Sequence, residues 1–224
     1  MKISTPAFVL KTSIFKESSL IVRLFTREKG KSNYIIKAAM RQKSPNKAVY
    51  QQLNEIKIDY SHYPKRQIHP IYSSKTLNDW GGICKDLKKT VLCTTMIEII
   101  DKSFDENIPD KQTYDVLSAV MKYFNTNNQN LNNAFYYFII HFLKNSGYDI
   151  INAKEHPIVK KFMQNYPDIP ENLKMIFSSK FIFSKEENFD VDYDKKIMSK
   201  FISEIVNYHF SDVKSFSVAK DIFS

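Results

Sequence analysis

The first 80 residues alternate between apolar and polar positions in short runs, a pattern typical of β-strands. In residues 55–60, Ile56, Ile58 and Tyr60 alternate with Lys57 and Asp59, so one face enters a core and the other meets water. Runs of similar character occupy residues 9–14, 20–25, 34–38 and 68–72. Five short strands in one compact stretch predict a small β-barrel.

Turn-forming residues separate these runs. Gly30, between Lys29 and Lys31, fits the turn between the second and third strands, where a positive φ is often required. The segment 40–51 is polar, basic and broken by Pro45, which predicts an exposed loop.

After Trp80 the apolar period changes from two to about 3.6, which predicts helices. These cover residues 84–103, 110–124, 130–145, 195–208 and 213–223. The third is apolar all round and stops at Ser146 and Gly147, so we expect it at the buried centre of a bundle. Residues 150–194 are more irregular, with prolines as breaks and a possible strand at 180–184. The predicted fold class is therefore α+β, with a barrel domain at 1–79 and a helical domain at 80–224.

Charge separates the same two regions. Residues 1–80 carry 15 Lys and Arg against 5 Asp and Glu, whereas residues 81–224 carry 18 against 19. Cations confined to one compact module create a local field that attracts polyanions. Nucleic acid is accordingly the leading ligand class.

The sequence gives little support for a membrane or secreted protein, a metal site or an enzyme. No apolar run approaches the roughly 20 residues that cross a bilayer, and the first residues do not resemble a signal peptide, so we expect a cytoplasmic protein. Cys84 and Cys93 are expected to be reduced core residues, and His141 a satisfied core or interface residue. Asp190, Asp192 and Asp194 are expected in a solvated turn rather than a cation site. No catalytic motif or cofactor loop is present, and we expect no enzyme activity and no cofactor.

A nucleic-acid site can be predicted from the cations and aromatic residues of the barrel. A phosphate track needs spaced cations, and single-strand binders add aromatic side chains on which bases stack. We expect the cations to meet at one rim, with Lys37, Arg41 and Lys43 together contacting phosphate. The candidate contact residues are Lys29, Lys31, Tyr34, Lys37, Arg41, Lys43 and Lys47, with Tyr50, Tyr60 and Tyr63 as further stacking candidates.

Several short motifs occur in a specific order along the chain. The N-terminal ones are Ala7-Phe8-Val9-Leu10, Glu17-Ser18-Ser19-Leu20, Leu24-Phe25-Thr26-Arg27-Glu28-Lys29-Gly30-Lys31, and Lys37-Ala38-Ala39 with Arg41 and Lys43-Ser44. Glu98, Gly147-Tyr148 and Val213-Lys214-Ser215 follow in the helical region. Together they resemble the bacterial recombination mediator RecO family over nearly the whole chain.

This resemblance implies a fold and a function. The fold would be an N-terminal OB-fold and a helical C-terminal domain. The function would be a DNA repair and recombination mediator that binds single- and double-stranded DNA and anneals strands without ATP. With RecR, such a mediator helps to load RecA onto DNA coated by single-strand-binding protein (SSB), and its implied partners include the acidic SSB tail.

Two departures from the family pattern bear on the site. The family's usual turn after strand three reads Lys-Gly-Ala-Arg-Arg, whereas Ala38 and Met40 replace the glycine and the first arginine here. Many relatives also carry four cysteines after the helix that corresponds to residues 130–145, here called the aromatic helix, and these are spaced as a zinc site. This chain has none there, and we expect no structural metal.

The SSB-tail pocket of relatives lies partly on the aromatic helix, where two arginines precede a phenylalanine. The matching positions are Tyr136, Tyr137 and Phe138, so Lys144 is the candidate replacement cation. The structural alternative is that the phenylalanines of this helix simply fill the core.

Two other function classes remain open on the sequence. A basic OB-type RNA-binding module with a helical adaptor would share the same electrostatic attraction, since only contacts to the 2′-hydroxyl distinguish the polymers. A protein scaffold with an incidental basic face would bind DNA only weakly at physiological salt.

Overall fold

A computed structural model describes residues 2–39, 46–179, 182, 193–210 and 213–216. Five strands form a closed barrel in the order β1-β2-β3-β5-β4, and helices follow. The strands are β1 (Lys2–Phe15), β2 (Ser19–Thr26), β3 (Gly30–Ile36), β4 (Glu55–Ser61) and β5 (Ile68–Asn78). The prediction of a five-stranded barrel followed by a mainly helical region is confirmed.

The first strand is longer than its apolar pattern indicates. β1 begins at Lys2 rather than near Val9, and its first half pairs with β4 while its second half pairs with β2. Ser4 and Pro6 face outward from this first half, opposite Asp59 and Lys57. Exposed polar positions and a proline concealed the strand from the sequence pattern.

Aromatic rings fill much of the barrel interior. Tyr34 and Tyr60 meet edge to face with their ring centroids 5.0 Å apart, and Tyr50 is buried in the same cluster. Aliphatic side chains from the inward positions of the strands pack around them, including Val9, Val22, Leu24, Ile56 and Ile58. The period-two alternation therefore builds one core inside a closed sheet.

The helices are α1 (Asn46–Val49), α2 (Gly81–Cys84), α3 (Leu87–Ser103), α4 (Lys111–Thr126), α5 (Leu131–Asn145), α6 (Pro157–Met163), α7 (Ile169–Ser178) and α8 (Lys195–His209). The aromatic helix α5 is buried along most of its length, as predicted. Two helices, α6 and α7, occupy part of the stretch predicted to be irregular. Most of the suggested strand at 180–184 and of the helix at 213–223 lies outside the described residues.

Chain contacts divide the protein into two compact units. The first comprises Met1–Gly81 and Ile100–Tyr114, and the second comprises Gly82–Ile99 and Asp115–Ser224. The segment 100–114 therefore belongs to the barrel unit, although its sequence position suggested the helical domain. Phe104 stacks on Phe25 with ring centroids 5.5 Å apart, and the Asn107 amide donates to the Lys31 carbonyl at 2.7 Å. These contacts join the segment to the outside of the barrel.

The two cysteines differ in their surroundings. Cys93 is fully buried, and burial raises the pKa of its thiol. Cys84 is exposed, which corrects the expectation that both are core residues, because it stands at the end of the short helix α2. Within the described part of the chain, none of the helices is long and apolar enough to span a bilayer.

Candidate nucleic-acid interface

The turn between β2 and β3 presents one predicted cation to solvent. Lys29 is exposed, and its backbone amide donates to the Thr26 hydroxyl at 3.2 Å. Gly30 has φ +69°, which confirms the predicted positive φ. A side chain at this position would also meet the Ile108 carbonyl, because an added Cβ would lie 1.9 Å from that oxygen.

Lys31, by contrast, is covered by the 100–114 segment. Its side chain is buried, and Nζ donates to the backbone carbonyl of Asp101 at 2.6 Å. Burial lowers the pKa of this ammonium, while the charge of Asp101 acts in the opposite direction. The expectation that Lys31 contacts phosphate is therefore corrected, because its donor already lies against the 100–114 segment.

The same segment also forms polar contacts with other side chains on the outer face of β2 and β3. Arg23 Nη1 lies 3.0 Å from one carboxylate oxygen of Asp101 and 3.2 Å from the other. The Asn33 amide donates to Glu106 at 2.5 Å. In OB-folds this face commonly meets oligonucleotides. Here Asp101 and Glu106 of the protein itself occupy Arg23 and Asn33 on this face.

Three of the four tyrosines proposed as stacking residues are internal. Tyr34, Tyr50 and Tyr60 are at most 1% exposed, and burial raises the pKa of each hydroxyl. Tyr34 points into the barrel because it occupies an inward position of β3. A base has no access to its ring, and the expectation of stacking by Tyr34 is corrected accordingly.

Lys37 is exposed, immediately after β3. Lys29 immediately precedes the same strand, and the seven residues of β3 separate the two by about 25 Å. They therefore belong to opposite ends of the barrel rather than to one rim. Arg41 and Lys43 lie outside the described residues, as does the side chain of Lys47, whose backbone belongs to α1.

Sequence reasoning gave little weight to the loop between β4 and β5. Tyr63, Lys65 and Arg66 are all exposed there, and the Arg66 guanidinium lies 4.6 Å from the centroid of the Tyr63 ring. Exposed Tyr72 follows on β5. The combination of cations and turn-forming Pro64 in the sequence could have identified this loop as a second basic site.

The residues proposed for the SSB tail separate into buried and exposed members. Tyr136, Tyr137 and Phe138 are each at most 4% exposed, so they form core rather than an open pocket. The alternative that the phenylalanines of this helix fill the core therefore holds for Phe138, and Tyr136 and Tyr137 are buried with it. Lys144, at the end of the helix, is exposed.

Lys144 lies beside a partly open aromatic group. Its ammonium is 4.3 Å from the centroid of the Phe177 ring on α7. His141 stacks on the same ring at 4.2 Å and contacts the Phe177 carbonyl through Nε2 at 3.2 Å. Burial lowers the pKa of His141, so the imidazole is held neutral beside the lysine. A cation next to a half-buried phenylalanine is the chemistry that an acidic peptide with an apolar end requires.

Within the described ranges, no three His, Cys, Asp or Glu side chains converge as metal ligands. Asp194, from the acidic repeat, instead caps α8 by accepting the amides of Lys196 and Ile197 at 2.9 and 3.1 Å. The other two aspartates of that repeat lie outside the described residues.

Comparison with protein families assigns both regions of the chain. Residues 1–79 match the family model described as "Recombination protein O N terminal", and residues 84–152 match "Recombination protein O C terminal". The chain belongs to the RecO family. It is thus a member of a family of DNA repair proteins.

Individual RecO proteins match over different lengths. The DNA repair protein RecO of Flavobacterium psychrophilum is 25% identical, and that of Flavobacterium johnsoniae 22% identical, each over the whole of both chains. RecO of Salinibacter ruber is 28% identical over 50% of this chain and 43% of its own. The matched family regions end at residue 152, so α6, α7 and α8 lie beyond them.

Two segments of the helical unit that are distant in the sequence meet at Glu98. The Glu98 carboxylate accepts the backbone amides of Lys214 and Ser215 at 3.0 and 2.9 Å. A carboxylate that accepts two amides satisfies donors that would otherwise be unpaired. Glu98 thereby anchors the late Val213-Lys214-Ser215 motif to α3.

The turn after β3 contains a residue in the left-handed region of backbone conformation. Ala38, which stands where the family usually has glycine, has φ +57°. This left-handed region disfavours residues with a Cβ by about 1 kcal/mol. The turn therefore holds Ala38 in this conformation at some energetic cost.

Proposed function

We propose that this RecO-family protein binds single- and double-stranded DNA through its barrel and anneals complementary strands without ATP. The observation that carries the proposal is the net charge of residues 1–80, with 15 cationic against 5 acidic side chains. Lys29, Lys37, Lys65 and Arg66 are exposed on that unit. Their positions at both ends of β3 and on the β4–β5 loop favour an extended path for a strand.

Annealing on such a surface makes and breaks no covalent bond. Cations reduce the repulsion between two phosphate backbones and raise the local concentration of complementary strands. The proposed activity is therefore that of a mediator rather than an enzyme, without a cofactor, and its place in the cell would be the nucleoid.

The partners follow from the mediator role. We propose that the protein acts with RecR to load RecA onto SSB-coated single strands. For the acidic SSB tail, Lys144 and Phe177 offer a cation and an apolar ring in contact. This receptor replaces the pocket proposed at Tyr136, Tyr137 and Phe138, because those three side chains are buried.

The mediator role is tested by annealing complementary single strands coated with SSB, without ATP and at physiological salt. The proposal predicts faster annealing with the protein present, and loss of that acceleration when SSB lacks its tail. The Lys144→Glu variant should show the same loss on SSB-coated strands while annealing bare strands normally. Absence of acceleration on coated strands would reject the mediator role.

The RNA-binding alternative is tested by competition between DNA and RNA oligonucleotides of one sequence. A DNA repair protein is expected to bind the DNA form at least as tightly. Strong preference for RNA, together with failure on SSB-coated strands, would favour an RNA-binding module instead.

A further inference from the structure

The outer face formed by β1, β4 and β5 is strongly cationic. In register, Lys2 lies opposite Ser61, Ser4 opposite Asp59, Asp59 opposite Ser73, and Lys57 opposite Lys75. Lys57 and Lys75 lie directly opposite each other on neighbouring strands, and this pairing is slightly destabilising because like charges repel. The exposed cations of this face and its loop are Lys2, Lys57, Lys65, Arg66 and Lys75, against one exposed carboxylate, Asp59.

A β-bulge adds an aromatic ring to this face. Asp59 pairs with Ser73 while Tyr60 pairs with Ile71, so Tyr72 is an extra residue on β5. Both Tyr72 and Ser73 consequently point outward, and Tyr72 is 57% exposed. Bulges commonly redirect a side chain at a binding surface.

The two exposed tyrosines of the face are neighbours. The Tyr72 and Ser61 hydroxyls are hydrogen-bonded, and the pKa of Tyr72 is lowered by hydrogen bonding from Ser61, with smaller contributions from Tyr63 and the charge of Lys2. Tyr72 also lines a surface depression of about 580 Å³, together with Lys2, Ile3, Ser4, Asp59 and Ser73.

Arg66 orients the second ring. Its guanidinium is 4.6 Å from the Tyr63 centroid, while Tyr63 remains 40% exposed. An arginine on one face of a tyrosine limits the motion of the ring and leaves surface for a further planar group. Rings flanked by cations are the combination used by proteins that hold single strands through stacking and phosphate contacts.

We propose that the outer face of β1, β4 and β5, centred on Tyr63 and Tyr72, is a stacking site for single-stranded nucleic acid. The inference rests on the proposed DNA-binding function and locates the base contacts that Tyr34 cannot make. The cations of the face supply phosphate contacts, while the β2–β3 face is occupied by Asp101 and Glu106.

The test compares a thymidine oligomer with an abasic oligomer of equal length and charge. Wild-type protein should bind the thymidine oligomer about tenfold more tightly or better, since each stacked base contributes to affinity. Tyr63→Leu/Tyr72→Leu should lower that affinity to within about twofold of the abasic value. Tyr63→Phe/Tyr72→Phe should keep the preference, because the rings remain.

Tyr166→Leu is the matched control, because Tyr166 is also 40% exposed but lies in the helical unit. It should leave the preference for thymidine unchanged. Lys65→Gln/Arg66→Gln should weaken binding of both oligomers and reduce the salt slope, by about 0.7 per lost phosphate contact.

The outcomes separate the two claims. Normal binding of wild type with an unchanged preference in the leucine double variant would overturn this site and leave the proposed function standing. If wild-type protein bound neither oligomer, the proposed function itself would fail, and the site with it. Thermal unfolding of each variant verifies that it is folded.

Discussion

Arg23 forms a two-point ion pair with Asp101, with Nη1 at 3.0 and 3.2 Å from the two carboxylate oxygens. The Arg23 side chain is 35% exposed and that of Asp101 15%. The pair attaches the 100–114 segment to β2. It also removes one barrel cation from those available to a phosphate backbone.

Replacing Asp101 by asparagine should lower the free energy of unfolding by about 0.5–1 kcal/mol, as for partly exposed pairs. The Lys31 bond is retained in this variant because it goes to the backbone carbonyl. A double-mutant cycle with Arg23→Gln, followed by chemical denaturation, measures the coupling. A coupling energy of zero between Arg23 and Asp101 would contradict a stabilising ion pair.

Gly30→Ala should destabilise the protein by about 2 kcal/mol or more, because an added Cβ collides with a backbone carbonyl at a positive φ. Gly147→Ala is the control. Gly147 also has a positive φ, but nothing lies within 4 Å of its added Cβ, so only the conformational cost of about 1 kcal/mol is expected. Equal losses in the two variants would argue against the contact between Gly30 and Ile108.

Ala38→Gly should stabilise the protein by up to about 1 kcal/mol, because glycine adopts the left-handed conformation without strain. Ala39→Gly, next along the chain, should destabilise it, since Ala39 is buried and its methyl group packs in the core. Denaturation midpoints of the two variants test this opposite sign. Destabilisation by both would show that the turn gains nothing from glycine.

Stability should fall as the pH drops below about 6.5, the ordinary pKa of histidine. His156 and His209 face each other with Nε2 atoms 3.1 Å apart, and His156 Nδ1 accepts the Ile158 amide. His156 must therefore donate from Nε2, and His209 must accept. Charging either ring would place a second N–H against an existing one.

Burial lowers the pKa of both rings, so the unfolded chain binds protons first as the pH falls. Their contribution is present above pH 6.5 and is lost on acidification towards their folded pKa. His156→Asn retains a capping side chain and should reduce the pH dependence by up to about one proton. Unfolding free energies at pH 7.5 and 5.5 measure it, and an unchanged slope would exclude this pair as its source.

The sequence predicted those features that depend on local pattern. Alternation around Ile58 identified β4, the context of Gly30 identified its turn, and uniform apolarity identified α5 as buried. The burial of Lys31 and Tyr34, in contrast, depends on contacts between distant parts of the chain. Asp101 returns to the barrel from 70 residues further on, and no local pattern specifies that pairing.

The outer face of β1, β4 and β5 likewise combines features that the local pattern predicts with features that it does not. Its basic loop was visible in the sequence, whereas the outward position of Tyr72 depends on a register shift opposite Asp59 and Tyr60. A one-residue shift changes which side of a sheet a residue faces, and it leaves no mark on the apolar pattern.

The central claim, that the basic barrel holds DNA, is tested most directly by the salt dependence of single-stranded DNA binding. The comparison is between wild type, a variant with Lys37, Lys65 and Arg66 all changed to glutamate, and a control with Lys122, Lys154 and Lys200 changed likewise. Both variants have the same net charge, and the control lysines are exposed in the helical unit. The account predicts weaker binding and a smaller salt slope in the barrel variant alone. Unchanged affinity and slope in that variant would contradict it.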